Sequence, residues 1–309
     1  MIKIPFEKST FAREMKPKIS GNNLTLEFDN LQSTLAKIAV EFYDFFSKNL
    51  YEKIVEKTAA EGEHSAELNA HALDYLQRSM LHFALYQHVI YLIANIGNDG
   101  ITVKKSDDKT TIFKYQQDQL ENKLISDAWF WLNRLIAFLN ENAENFPDWQ
   151  NSEQKKQADE LPVAISDFKK WVGISDDAFM LFARWIIREV WEECVLSRIS
   201  ADKIEEIKDN AMRPLCYEVV ARVCKRLAYY CLPEPIRLDI NNEMGKNHNA
   251  QADTYIREKV AEIFEQKAQS YWIALDAKIE QKKDELAKEN ISEQQFKPSK
   301  ITENHSFAF

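Results

Sequence analysis

Glycine and proline are scarce in this chain, at 6 and 8 of 309 residues, against a combined average usage of roughly 12%. Sandwiches, barrels and doubly wound α/β folds need frequent tight turns, so the scarcity argues against all three. Few glycines also leave little room for phosphate-cradling loops. No run approaches the roughly 18–20 uncharged apolar residues of a membrane span, and no membrane partner is expected. The opening MIKIPFEKSTFAREMKPK lacks the apolar stretch of a secretory signal. Cationic charge is short as well: 40 Lys and Arg against 49 Asp and Glu leave a net −9. That balance disfavours grip on a phosphate backbone, so no sequence-specific nucleic-acid binding is expected. Cysteines number four, and Cys216, Cys224 and Cys231 follow one another at spacings of 8 and 7. With Cys194 they read as reduced thiols on expected helices, not as a disulfide framework or a zinc site. The chain is therefore expected to be cytosolic or intracellularly assembled.

Catalytic motifs are missing too. The chain holds no G-x-x-x-x-G-K-[ST], G-x-G-x-x-G, H-E-x-x-H, G-x-S-x-G or C-x-x-C. Glu61-x-x-His64 has the spacing of a di-iron helix bundle, but no second copy exists, so a solvated acidic loop carrying His64 and His71 is the simpler reading. His82 and His88, six apart, cannot share a helix face. Glu189, Glu192 and Glu193 follow Arg184 and Arg188 at helical spacing, which local ion pairs explain. Trp129, Trp131 and Trp149 lack interleaved basic residues, so core packing is preferred to base stacking. No catalytic, cofactor-binding or metal residue is assigned, and a non-enzymatic protein without cofactor is expected.

What is present is helical periodicity within a 45% hydrophobic chain. Residues 1–29 read as an irregular segment with extended character at 24–28. Leu31, Leu35, Ile38, Phe42 and Phe45 mark one face of a helix of about 25 residues. Ser65 is the expected N-cap of a long helix through Ile96, ended by the GNDG turn at 97–100. Residues 101–114 alternate about Ser106 and Lys109 as a short hairpin or extended loop. A third helix points Leu120, Leu124, Trp131, Leu135 and Phe138 inward. FPDW at 146–149 caps its end, and the polar stretch 151–162 is the expected linker. Ser175, with Asp176 and Asp177, opens a fourth helix that carries Cys194. Ser200 would cap a fifth running to Cys231, stopped by Pro233 and Pro235. A polar loop at 241–251 precedes a sixth, and the tail after 289 is polar. The expected fold is all-α: helical units at 30–150 and 163–288, joined by 151–162, with termini 1–29 and 289–309.

Each half reads as a helix, a long helix, a loop and another long helix. An offset of 135 overlays Arg78 on Arg213, and an offset of 140 overlays Trp131 on Tyr271. An internal duplication follows as an expectation. Arg78 and Arg213 occupy matching places, and each is expected to tie its helix to an acidic partner. Arg78, Arg213, Trp131, Tyr271 and Trp149 are the candidate structural or interface residues.

Several short stretches carry a family resemblance. They are LYEKI at 50–54, the long helix ending in GITV at 100–103, the helix at 131–139, and FPDW followed by Asn151 and Ser152. With the repetition after 163, the chain resembles, over residues 25–288, an uncharacterised family of structural proteins of Bacteroidetes phages and prophages. LPEP at 232–235 departs from the pattern, replacing a glycine turn. The resemblance implies a non-enzymatic head–tail connector or adaptor. Such a protein would assemble with its own copies and other phage structural proteins and end in the virion. The alternatives are another all-α scaffold or interaction protein that binds partner helices, or a helical metal enzyme.

Overall fold

The four–three spacing from Leu31 builds helix α2 (Phe28–Phe46), which buries Leu31, Leu35, Ile38, Phe42 and Phe45. The expected 25-residue helix breaks at Ser47, where φ is +71°. The Ser47 hydroxyl accepts the Leu50 N–H at 3.3 Å and starts α3 (Lys48–Glu56). A side chain that satisfies a helix N-terminus competes with continuation of the previous helix, and here it wins. The corner aims Tyr51 at the N-terminal segment, where its hydroxyl donates to Lys3 O at 3.0 Å. The structure, a computed structural model, describes residues 2–18, 27–97, 100–103, 114–198, 204–246 and 253–295. Within 2–18 the segment expected to be irregular holds a short helix, α1 (Phe11–Met15), and buries Phe6, Phe11 and Met15.

Helix α4 (Ser65–Ile93) begins one residue earlier than a Ser65 cap requires. His64, at φ +66°, offers the carbonyl that takes the Glu67 and Leu68 N–H groups. The helix stops at Ile93, and strands β1 (Ala94–Gly97) and β2 (Gly100–Val103) pair antiparallel with Gly97 opposite Gly100. The glycines therefore flank a hairpin connection instead of ending a helix, because two residues between paired glycines suit a tight hairpin. The β-branched Ile101, Thr102 and Val103 face Ile96, Asn95 and Ala94 across the ladder. Of the stretch expected to form the hairpin, residues 104–113 lie outside the described residues.

Helix α5 (Lys114–Glu141) returns along α4, with Ser79 Oγ donating to Ala128 O at 3.0 Å in the contact. Leu124, Ala128, Leu132 and Leu135 are buried, but Leu120, expected inward, is 44% exposed, and Trp131 and Phe138 are half-buried. The stretch 151–162 is not an open linker. After α6 (Pro147–Gln150), Ser152 Oγ accepts the Lys155 N–H at 3.2 Å and caps α7 (Glu153–Asp159), which lies against a later helix.

The second half comprises α8 (Ile165–Val172), α9 (Asp177–Val190), α10 (Ile204–Arg226), α11 (Glu234–Lys246) and α12 (Asp253–Gln295). Helix α9 runs into one π turn at Trp191–Leu196, which holds Cys194. Ser200 lies outside the described residues. Helix α10 ends at Arg226, so Cys231 sits in a 3₁₀ turn, off the helix that carries Cys216 and Cys224. All four thiols are free; Cys216 and Cys224 are buried, and Cys194 and Cys231 half-buried. Pro233 and Pro235 open α11 rather than only stopping α10, since a first helical turn needs no proline N–H. Residues 241–246 of the expected loop are helical, as are 289–295 of the expected tail.

One continuous apolar core spans both halves. Where they meet, Phe45 of α2 stacks on Phe182 of α9 at 4.5 Å, and Trp129 of α5 lies 5.3 Å from Phe182.

Candidate functional site

Each half holds an arginine stacked on aromatic rings. Arg78 Nε donates to Asp74 Oδ2 at 2.7 Å, and its guanidinium lies 4.5 Å from the centre of the Trp131 ring. Trp131 in turn stacks on Tyr75 at 5.9 Å. Burial pushes the Asp74 carboxyl up, but hydrogen bonds from Lys18 and Arg78 outweigh it and hold the group below its ordinary value. Arg213 on α10 lies 3.8 Å from the Tyr271 ring and 4.8 Å from Trp171, and Tyr271 stacks on Tyr217 at 5.7 Å. The expected acidic partner is present for Arg78. Arg213 has none among the described residues, and its buried Nε has no hydrogen-bond partner there. Aromatic faces do the holding instead, and a weakly hydrated guanidinium suits them. Arg78 lies on Trp131 and Arg213 on Tyr271, the two residues that a second offset, 140 instead of 135, overlays on each other. Trp149 is 1% exposed and donates its indole N–H to Asn140 Oδ1 at 2.9 Å, which makes it a core residue.

A polar stripe on α5 joins the halves, and sequence reasoning missed it. Asn122, Ser126, Trp129 and Asn133 recur at helical spacing. Asn122 Oδ1 accepts from the Tyr229 hydroxyl and from Asn241 Nδ2. Ser126 Oγ accepts from Arg237 Nη2 at 3.1 Å, and the Trp129 indole donates to Tyr230 O at 2.8 Å. Asn133 caps α9 from outside: its Oδ1 accepts the Ala178 N–H at 2.9 Å while its Nδ2 donates to Asp176 Oδ1 at 2.7 Å. Ser175 is thus not the cap, and Asp176 makes no side-chain cap bond. Burial raises the Asp176 carboxyl above its ordinary value, opposed by the charge of Arg237 and the Asn133 bond. Arg237 is 2% exposed and donates to Leu232 O. At the other end of the joint, the Tyr230 hydroxyl donates to Glu41 Oε1 at 3.1 Å, and burial raises that carboxyl too.

The acidic trio on α9 and the π turn does not pair locally as expected. Arg222 of α10 bonds Glu189, reaches Glu193 at 2.7 Å and Glu218 at 3.1 Å, and Arg226 bonds Glu189. Arg184 instead donates to Gln157 at 3.1 Å, and Arg188 lies 4.0 Å from Glu160. Hydrogen bonds from Arg226 and Arg222 hold the Glu189 carboxyl below its ordinary value against a small burial effect. These partners come from α10, a separate helix, which i,i+4 counting along α9 does not foresee.

His71 lies 3.7 Å from Glu67 and stacks on Tyr75. His82 is buried, with Nδ1 2.7 Å from Arg78 O, and burial lowers its pKa. Among the described residues no group of three His, Cys, Asp or Glu side chains is placed to hold a metal. No helix there is long and apolar enough to cross a membrane. A groove of about 460 Å³ lies between α7, α9 and the start of α10, with Trp149, Met180 and Met212 in its walls.

These features define an all-α protein of two helical hairpins, α4 with α5 and α10 with α12, built around one core. Residues 42–159 match a family of unknown function (DUF6712). The match runs from the last turns of α2 to the end of α7. It covers the Arg78–Trp131 stack and leaves the second half outside. No curated protein and no solved structure matches the chain.

Proposed function

We propose that the chain is a structural protein that assembles with copies of itself and with neighbouring virion proteins, as a head–tail connector or adaptor of a phage or prophage, and carries out no chemistry of its own. The observation that carries this reading is the overhang of α12. That helix is tied to the body at Asp276, which meets Arg198 at 3.2 Å, and at Lys278, which meets Asn210 at 3.0 Å. Beyond Ile279 it continues to Gln295, about 24 Å at 1.5 Å per residue. The described side chains from Glu280 to Glu285 are exposed, as is Lys288. An exposed helical extension of this kind offers a neighbouring chain a surface to pack on. Exposed Phe130, Trp185 and Leu238 add further contact surface for neighbours. The matched arginine stacks support a second part of the reading, that the two halves arose by duplication. Mass spectrometry of particles induced from the host that encodes the chain tests the role. The protein is expected in purified particles at a copy number comparable to the portal, and particles that form without it would end this reading.

A further inference from the structure

The groove of about 460 Å³ beside the start of α10 has an apolar floor and a charged rim. Ile136, Trp149, Met180 and Met212 form the floor, and all four are nearly inaccessible from outside. The rim carries the carboxylates of Asp159, Asp167, Asp177 and Asp209 against the ammonium groups of Lys155 and Lys208. Lys155 is committed to Asp159, at 2.9 and 3.1 Å from its two oxygens. Asp167 accepts the Ala164 N–H at 3.1 Å. Among the described residues Asp177 has neither a hydrogen bond nor an ion pair, and burial raises its carboxyl. The groove thus combines an apolar slot of ligand-binding size with an excess of negative charge.

We propose that this groove receives residues 296–301, Phe-Lys-Pro-Ser-Lys-Ile, of a second copy of the chain. The proposal rests on the assembly reading above and supplies its contact. Two apolar side chains enclose two lysines in that segment, and Pro298 cannot extend the preceding helix. Phe296 and Ile301 match the apolar floor, and Lys297 and Lys300 match the acidic rim. Reach decides between copies. Helix α12 touches α10 where Lys278 meets Asn210, the residue after the rim residue Asp209, and then runs about 24 Å further. Six residues of any conformation span at most about 20 Å, less than that distance, which favours a groove on another copy. A neighbour's groove is open to it. Giving a segment on one side and receiving one on the other is a heterologous contact, which closes a ring or propagates a chain.

The test uses full-length chains, half of them ¹⁵N-labelled, with a photo-crosslinking phenylalanine analogue in place of Phe296, mixed at high micromolar concentration. Crosslinked peptides that join a labelled chain to an unlabelled one, at the groove around Met180 or Met212, are expected. Lys297→Glu with Lys300→Glu should cut their yield roughly tenfold. Because Asp209 is exposed, Asp209→Lys leaves the fold intact, and it should restore part of the yield when combined with Lys300→Glu. Crosslinks within one chain only, crosslinks to other surfaces, or none at all would overturn the proposal. If the protein enters particles yet crosslinks elsewhere, the groove falls alone. If it also stays out of particles, the assembly reading falls with it.

Discussion

Arg213 shows what a single side chain contributes here. Its guanidinium sits on Tyr271 and Trp171 with no carboxylate in range among the described residues. Arg213→Ala is therefore expected to lose about 1–2 kcal/mol in urea unfolding, and Arg213→Met, which keeps the apolar stem, to lose less. An equal loss in both would assign the energy to charge alone. His82 provides a pH readout. Burial holds its pKa below 6.5, so the unfolded chain takes up that proton first, and stability falls as pH drops below about 6.5. Glu41 acts in the opposite sense. Its raised pKa adds stability at low pH that is lost as pH rises above about 4.5. The wild-type curve mixes the two, so the expected outcome is differential. His82→Gln should flatten the melting-temperature change between pH 7 and 5, and Glu41→Gln should raise the melting temperature at pH 7. At this scale the sequence singled out Arg78, Arg213, Trp131 and Tyr271, but it pointed to acidic partners for the arginines, and the aromatic faces that hold them were not read from it. Trp171 was invisible, because it reaches Arg213 from α8, a helix outside either repeat register.

Among the elements, α5 carries the most. One face packs on α4 through Leu124, Ala128 and Leu132, and its polar stripe ties down α9, α11 and the turn between α10 and α11. Asn133→Ala removes both the outside cap of α9 and the partner of Asp176, and a loss of about 1–2 kcal/mol is expected. A double-mutant cycle with Asp176→Ala should show coupling; strict additivity would mean that the two side chains act independently. The stripe was legible in principle, since Asn122, Ser126, Trp129 and Asn133 follow spacings of four, three and four. A polar residue at a helix face reads as solvent exposure, however, unless the partner is known, and its partners lie far along the chain. The corner at Ser47 escaped for a related reason. The apolar spacing continues across it, so only the Ser47 cap and its positive φ reveal the break. Turn chemistry also decided the hairpin, where Gly97 and Gly100 pair with each other and the helix stops earlier than its apolar stripe implies.

For the whole molecule, the shared core implies that the halves do not unfold separately. A single transition, coincident by tryptophan fluorescence and far-ultraviolet circular dichroism, is expected; two resolved transitions would mean that the joint is weaker than its contacts indicate. Ending the chain after Gln281 removes the exposed end of α12. The melting temperature should then stay within about 2 °C of the full chain while assembly is lost. The all-α class was legible from glycine and proline scarcity alone, because a chain so poor in turn formers has few other folds open to it. The span of α12 was not, since its polar end gives no apolar signal at any period. The α5 stripe has one more consequence, which concerns synthesis. Trp129 waits for Tyr230, 101 residues further on, which at roughly 5–20 residues per second is an interval of about 5–20 s. During that time the first half, already outside the ribosome, presents the aromatic surface that α9 will cover. A nascent chain in that condition is a natural client for a ribosome-associated chaperone.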